Sequence, residues 1–515
     1  MDLLRPRASG NGLRGRVLVL VPRWTSRGDP GPQGVPFRTF TLASAFLHAG
    51  HEVVFFDQEH DLDRTDRFPD LERLATDATA AFVWMNECYP FNQCVNALGL
   101  ASRLRASRGD LPIVVGGEFV TLCPPTFFDG DFAVDYFLRG YGEKSGLALL
   151  GRLLAHGTVE DVPGLVWRGN DGSLRHNPQD RKPDFEPDYL EMYRRIDLRP
   201  YVQRGGLFGN DQPTLTIGTG RGCVKGCGFC AWRNHPARIL AAEHVVGLME
   251  DLRERYGVRQ FHIGELDFFT SRRRALGVAD GMRERAPDCA WFALGSPCDL
   301  VRLSDDEWDR LAAGGVRKIE IGSESGSARL LRAIGKTHTP EDVFVVSKKM
   351  IERGIVPMNN FLFGFPGETR EDRDDSLRLI HRIWNLSPER NCMTFRYYQA
   401  CWDTPLGDRA LACVEGAPRT VTEFLATRHE FDDESRRTIP WIPERDEREV
   451  KHLVNHYLPL MTSKLVIRPP WRRGIYRTLR STAERRVASR SLSLRWDRRL
   501  YDRFIGRPLD RTYVP

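Results

Sequence analysis

Three cysteines within eight residues, on a loop that can bend almost anywhere, constrain this chain more than any other feature. The segment Gly218-Thr-Gly-Arg-Gly-Cys223-Val-Lys-Gly-Cys227-Gly-Phe-Cys230 sets glycines at 220, 222, 226 and 228 among the thiols. Glycine tolerates the backbone angles that a tight wrap needs, so three sulfurs can converge on one compact inorganic group. A 4Fe-4S cluster normally takes four cysteines. Three would leave one iron open to bind something else. The competing reading from the residues alone is a zinc site, with His235 as fourth ligand after a gap of four residues.

The chain around this loop has 515 residues, too many for one core and enough for roughly three domains. No apolar run approaches the roughly 18–20 residues that cross a bilayer, and the opening MDLLRPRASGNG has no signal-peptide core. Eleven cysteines in a chain this long do not make a disulfide scaffold. A reducing cytoplasm is the expectation, and it suits an oxygen-sensitive metal centre.

Residues 16–155 alternate strand-like and helix-like segments. Residues 16–21 (RVLVLV) are a short β-branched run of the kind buried on both faces in parallel sheets. Further strands are predicted at 52–56, 80–85, 112–115 and 135–138. A helical stretch at 39–49 stops at Gly50. This rhythm predicts βαβ units in a doubly wound parallel sheet, with ligands at the carboxyl ends of its strands. Residues 156–205 read as a connector, with a small hairpin around Asn170-Asp171-Gly172 and then the Pro-rich KPDFEPDY. The rhythm resumes over 206–415, with strands at 215–218, 260–263, 291–294, 317–322, 357–363 and 394–399. Helices at 242–256, 305–313, 340–353 and 371–386 lie between them. Six β/α units fit a partial (β/α)6 parallel barrel with its chemistry at the C-terminal strand ends. The region 416–515 reads as mainly helical and basic, and 464–515 holds fifteen Lys/Arg against four Asp/Glu.

The C-x3-C-x2-C loop, with aromatic Phe229 just before its last cysteine, resembles the signature of the radical S-adenosylmethionine (SAM) superfamily. The resemblance covers roughly residues 205–415. It implies that Cys223, Cys227 and Cys230 hold a 4Fe-4S cluster whose open iron is chelated by SAM. One electron then cleaves the sulfonium to a 5′-deoxyadenosyl radical. Gly264-Glu265 corresponds to the motif receiving the SAM amino group. Ile321-Gly-Ser-Glu324-Ser325-Gly-Ser327 resembles the family's G-x-E-S-G segment, which places Glu324 and Ser325 near ribose and carboxylate. Phe363-Gly-Phe-Pro366-Gly-Glu-Thr369 resembles its fifth strand-end turn. Phe229 joins the cofactor-binding set. An external one-electron reductant of flavodoxin or ferredoxin type is the implied partner. No catalytic residue can be named, although Asp267, Tyr397 and Tyr398 lie near strand ends.

The Gly-rich loop after the first strand, Arg27-Gly-Asp-Pro-Gly-Pro-Gln-Gly34, is not a dinucleotide fingerprint, because Pro30 and Pro32 obstruct the tight turn. The first domain instead resembles the cobalamin-binding domain of one radical SAM subgroup. Val114-Val-Gly116-Gly117-Glu-Phe-Val-Thr121-Leu-Cys-Pro124 is similar to its G-G-x-H-x-T-x-x-P strand end. Arg139-Gly140-Tyr-Gly142-Glu143 resembles its x-G-E-G-E turn. Phe119 stands at the usual histidine and Tyr141 at the usual acidic position. The resemblance implies cobalamin at the strand ends bearing Asn86, Gly116, Gly117, Gly140 and Gly142, where glycines would let a flat corrin approach.

Two outcomes follow from the resemblance: methyl transfer to an unactivated carbon of a small-molecule substrate, or cyclisation or rearrangement without it. A non-catalytic zinc or iron–sulfur protein is the reading from another class. The carboxy-terminal residues Trp471, Tyr476, Trp496 and Tyr501 either pack on the barrel or make peripheral membrane contact. No motif points to nucleic acid.

Overall fold

The structure, a computed structural model, describes residues 2–6, 13–23, 34–60, 75–86, 91–180, 182, 187–204, 211–426, 439–462, 470–489, 499–500 and 503. Residues 27–33 and 183–186, Trp496, Tyr501 and the side chain of Trp471 lie outside that description.

The first sheet has eight strands: β1 Asp2–Leu4, β2 Arg16–Val21, β3 Glu52–Asp57, β4 Ala80–Met85, β5 Ile113–Gly117, β6 Tyr136–Leu138, β7 Leu165–Arg168 and β8 Leu174–His176. Their order is β1-β3-β2-β4-β5-β6-β7-β8, parallel from β3 to β6 and antiparallel at both margins. The chain reverses direction across the sheet between β2 and β4, the switch point at which such sheets leave a crevice at their carboxyl ends. Val17 and Val19 pack on one face and Leu18 and Leu20 on the other, which is why residues 17–21 are apolar at every position. The predicted Asn170–Gly172 hairpin forms, but it extends this sheet by pairing Leu165 with Leu138. Strand β1, paired with β3, was not foreseen.

The second sheet has six strands, all parallel: β9 Thr214–Ile217, β12 Gln260–Ile263, β13 Ala290–Gly295, β14 Val316–Glu324, β15 Val356–Phe363 and β16 Cys392–Tyr397. They lie in sequential order and the ladder is open, since β9 and β16 do not pair. A separate hairpin, β10 Gly220–Cys223 with β11 His235–Ile239, carries the cysteine loop at the end of β9. One face of this sheet, with Leu215, Ile217, Phe261, Ile263, Ile319 and Ile321, is sealed into the core. The other face mixes polar and apolar groups and is touched by solvent: Thr216, His262, Leu294, Glu320, Asn360 and Thr394 are part-exposed, Phe292 and Met358 are buried among them, and Arg396 is exposed. The β9 margin of that face meets Gly34 and Phe37 of the first region, which approach Thr216 and Gly218. One core runs through both sheets.

Beyond β16 the described residues are helical. Helix Pro470–Ser489 buries Tyr476, Leu479, Ala483 and Val487 against Ile380, Ile383 and Trp384, while Arg477 and Arg485 face water. Of the two readings the sequence left for Tyr476, packing or membrane contact, the structure has packing. Arg373, fully buried in helix Arg370–Leu386, bonds Asp446 at 2.9 Å and anchors this region to the sheet. No helix among the described residues is long and apolar enough to cross a membrane.

Candidate functional site

The cysteine loop is held from three directions by backbone. Cys230 N donates to Cys227 O (3.1 Å), Asn234 N to Lys225 O (2.9 Å), Gly228 N to Ile334 O (2.8 Å) and Leu406 N to Gly228 O (3.1 Å). The loop rests on Gly335. A Cβ there would lie 2.9 Å from Gly226 O and 3.1 Å from Gly228 N, and its φ of +80° is itself a glycine conformation. Gly222, at φ +77°, passes as closely over Pro236, where a Cβ would meet the carbonyl oxygen at 2.1 Å.

Cys223, Cys227 and Cys230 are part-exposed and in no disulfide, unlike the buried Cys94, Cys123 and Cys289. Burial raises all three thiols, Cys230 to about 12, and Cys227 raises Cys223 further, as Cys227 and Cys223 together do Cys230. A metal centre must therefore draw the protons off. Two cations flank the loop. Lys225 Nζ donates to Asp299 (2.6 Å) and to Cys298 Sγ (3.6 Å). Lys336 Nζ pairs with Glu324 (2.9 Å) and lies 5.6 Å from the Phe229 ring centre. Burial works to lower the Lys336 ammonium; Glu324, Cys227 and Cys230 override it, so the charge stays. Asp267 accepts from Ser296 Oγ (2.6 Å), but its other oxygen is buried without a partner, and burial raises its carboxyl. Such an orphan beside Cys223 is a ready acceptor for a ligand donor.

The geometry does not gather a single-metal site here. Among the described residues no three His, Cys, Asp or Glu side chains could hold one ion. His235 faces elsewhere: its Nδ1 meets Tyr141 OH at 3.1 Å and its ring packs on Trp232. Thiols spaced too widely for one zinc remain compatible with a larger cluster.

The other predicted residues are placed more variously. Gly264 closes β12, with its N donating to Ile217 O (2.8 Å). The Glu265 carboxylate is buried and bound by Thr219 and by both terminal nitrogens of Arg274. A Cβ on Gly220 would lie 2.7 Å from it, so this carboxylate ties the ends of neighbouring strands together. Glu324 is the reverse case. It holds φ +58°, a strained angle for a side-chain-bearing residue, and reaches Lys336 beside Cys227. Ser325 Oγ bonds Ser376 Oγ (2.9 Å) and accepts from Ser327 N, inside the protein. Phe229 packs edge-on against Phe365 (5.5 Å) beneath the loop. Tyr398 and Cys401 are buried, with the Cys401 thiol pushed up to about 12.

At the first sheet, Gly117 and Gly140 (both φ +104°) and Gly142 (φ +92°) need glycine for their backbone angles. The sequence reading expected open space beside them, and at three positions that space is filled. A Cβ on Gly117 would lie 1.9 Å from Met85 O. A Cβ on Gly116 would lie 2.1 Å from the Trp84 ring, and one on Gly142 would lie 2.4 Å from it. The indole, 1% exposed, already occupies that approach. Asn86 is likewise engaged: its side chain exchanges hydrogen bonds with Thr39, and its N–H donates to Gln93. Phe119, at the usual histidine position, stacks with Phe127 and Phe424.

The strand ends of the first sheet meet the cysteine hairpin. Arg221 of β10 forms a buried ion pair with Glu143, which also accepts from Thr41 Oγ1 at 2.6 Å. Arg38 pairs with Glu118 and lies over Trp232. Tyr141 packs on Trp232 at 5.7 Å and bonds His235. Lys336, Gly335, Trp232 and Arg221 were not singled out from sequence; the one local signal was Gly335 itself, a glycine just after a helical stretch.

Comparison with known proteins agrees with this geometry. Residues 217–380 match the radical SAM superfamily. An uncharacterized methyltransferase, PH0819 of Pyrococcus horikoshii, is 24% identical over 72% of this chain and 78% of its own length. The radical SAM methyltransferase TsrM from Kitasatospora setae, solved with cobalamin and a [4Fe-4S] cluster bound, superposes with TM-score 0.60 at 19% identity, covering 92% of this chain and 99% of TsrM. The cobalamin-dependent SAM radical enzyme OxsB gives 0.66 at 15% identity, over 96% of this chain and 75% of OxsB.

Proposed function

We propose that this chain, which carries a radical SAM domain at residues 217–380, is a cobalamin-dependent radical SAM enzyme that methylates carbon in a small molecule. The observation that carries the reading is the cysteine loop: three part-exposed thiols seated on Gly335 at the strand ends of a parallel sheet. The six-stranded sheet is then the partial (β/α)6 barrel and its solvent-touched face the lumen.

The residues fit a 4Fe-4S cluster. Cys223, Cys227 and Cys230 would ligate it. When bound, the cluster and SAM supply a one-electron cleavage that yields a carbon-centred radical. An external reductant of flavodoxin or ferredoxin type provides the electron. The chain's own residues bind and orient. Lys336 and Lys225 would offset the charge of the thiolates, and the spare Asp267 oxygen would be an acceptor for a SAM donor. The backbone at Gly264–Glu265 would receive the SAM amino group, and the Glu265 carboxylate fixes that backbone. Glu324 orients Lys336.

The fit to cobalamin is divided. Gly140 exposes backbone at the carboxyl end of β6, and Tyr141 lines the seam to the cysteine hairpin. The approaches at Gly116 and Gly142 are filled by Trp84, and that at Gly117 by the Met85 carbonyl. A corrin would therefore lie over Gly140 and Tyr141.

Product stoichiometry in an anaerobic assay with reductant and candidate substrates tests the reading. Methyl transfer gives S-adenosylhomocysteine and 5′-deoxyadenosine in about equal amounts, and a product heavier by one methylene. Turnover with 5′-deoxyadenosine but without S-adenosylhomocysteine would establish the cyclase or rearrangement outcome instead.

A further inference from the structure

The cysteine loop has a fourth thiol for a neighbour. Cys298 lies on the short helical turn Pro297–Leu300, at the carboxyl end of β13. That turn is pinned to the strand end by Asp299 N and Leu300 N, which both donate to Ser296 O at 3.1 Å. Lys225, between Cys223 and Cys227 in sequence, reaches across to it. Its Nζ donates to Asp299 at 2.6 Å and to Cys298 Sγ at 3.6 Å. The same ammonium lies 3.9 Å from Asp267, whose side chain is 3% exposed and keeps one oxygen unpartnered. Cys298 is also close enough to Cys227 for charge on one to act on the other.

Cys298 differs from the thiols that pack the interior. Cys94, Cys123, Cys289 and Cys401 are buried, whereas Cys298 shares the part-exposed setting of Cys223, Cys227 and Cys230. Its sulfur accepts from an ammonium, the kind of neighbour that reactive and metal-binding cysteines keep. The loop supplies three ligands to a cluster that normally takes four cysteines. An iron left open is a Lewis acid, and thiolate is the soft ligand that such clusters take from proteins. With a fourth thiol at the same strand ends, that iron need not stay open before SAM arrives.

We propose that Cys298 ligates the fourth iron of the cluster while SAM is absent, and that SAM binds by displacing it. In the first state a bond forms between Cys298 Sγ and iron, and the thiol proton leaves to water at this part-exposed position. SAM then breaks that bond with its amino and carboxylate groups, and the thiolate takes a proton back. No electron moves in either direction. The spare Asp267 oxygen favours the exchange, because SAM brings a hydrogen-bond donor that a thiolate lacks. The proposal rests on the cluster assignment. It gives Cys298 a part in the resting enzyme, where it guards the iron from loss and competes with SAM.

Mössbauer spectra of the full chain, reconstituted anaerobically with isotopically enriched iron, test it without any substitution. Before SAM is added no iron should stand apart from the others, and with SAM one should become distinct. In Cys298→Ala one iron should be distinct from the start. Titration calorimetry should show that this variant binds SAM several-fold tighter, because the competing ligand is gone. A distinct iron in the wild type without SAM, a Cys298→Ala spectrum identical to wild type, or SAM affinity unchanged by the substitution overturns the proposal. Should Cys298→Ala fail to take up iron, the wild-type spectra with and without SAM decide alone. A wild-type sample that holds no iron–sulfur cluster counts against the proposed function, whereas a cluster with a distinct iron before SAM is added counts against Cys298 alone.

Discussion

Both sheets turn their carboxyl ends toward the same hairpin, and both end in glycines, yet the glycines do opposite things. At the second sheet, Gly222 and Gly335 let backbone pass over backbone and so hold the thiols in place. At the first, Gly116 and Gly142 make room for the Trp84 indole, a side chain of the protein itself. A glycine motif announces a close approach without saying by what. The cysteine loop is therefore a site made by removing side chains, and the first sheet's edge is one partly refilled by a side chain.

The contrast can be broken most sharply at the thiols. Cys227→Ala should abolish reductive cleavage of SAM and lower bound iron, because a cluster already one protein ligand short cannot spare another. Robust 5′-deoxyadenosine formation by that variant would falsify the assignment.

Next in size is Glu265→Ala, which strands a buried Arg274 and should cost about 3–5 kcal/mol in denaturant unfolding. SAM affinity of the folded fraction should hardly change, since the carboxylate is engaged by Thr219 and Arg274. A specific loss of affinity with unchanged stability would return Glu265 to the binding set.

At the first sheet, Gly116→Ala should cost about 1–3 kcal/mol by overpacking against Trp84. In a Trp84→Ala background the same substitution should be nearly harmless, so a double-mutant cycle should show strong coupling. If Gly116→Ala costs the same in both backgrounds, the glycine serves something other than the indole. Hydroxocobalamin retained on gel filtration by Trp84→Ala and wild type then tells whether the indole limits corrin binding.

The smallest effect separates a glycine's angle from its surroundings. Gly354 has φ +71° with nothing within 4 Å of a Cβ, whereas Gly335 has φ +80° with the loop upon it. Gly354→Ala should cost about 1 kcal/mol from its angle alone. Gly335→Ala should cost more and reduce iron loading. Equal stability losses with equal iron would show that the loop does not depend on that contact.

Much of this was legible beforehand. Strand segments such as 17–21 and 80–85 declare themselves because parallel strands covered on both faces must be apolar throughout, and the cysteine spacing locates the cluster loop. What stayed hidden depends on contacts between distant positions. Lys336 looks like any lysine after a helix until the fold brings it to Cys227. Trp84 reads as one more buried strand residue, although its ring decides what the glycines 32 and 58 positions later can receive. Glu265 sits in the expected motif, but only the structure shows Arg274 holding it. The solvent-touched face was partly visible: Lys318 and Glu320 alternate with Ile319 and Ile321, a period of two inside a buried strand, which signals one face left unsealed.

The supports of the cysteine loop also set an order of events in the making of the protein. Cys223, Cys227 and Cys230 leave the ribosome before Ile334 and Gly335, which cradle them, and well before Leu406, which clamps Gly228. Synthesis proceeds from the amino terminus and domains generally fold as units, so the nascent chain exposes three uncradled thiols while roughly another hundred residues are added. Arg221 and His235 emerge after their partners Glu143 and Tyr141, so the first sheet offers a surface to dock on before the seat for the cluster exists. Iron therefore meets either a loose, reactive loop early or a finished socket late, and the cell's handling of those thiols in the interval belongs to the biology of this fold as much as the finished site does.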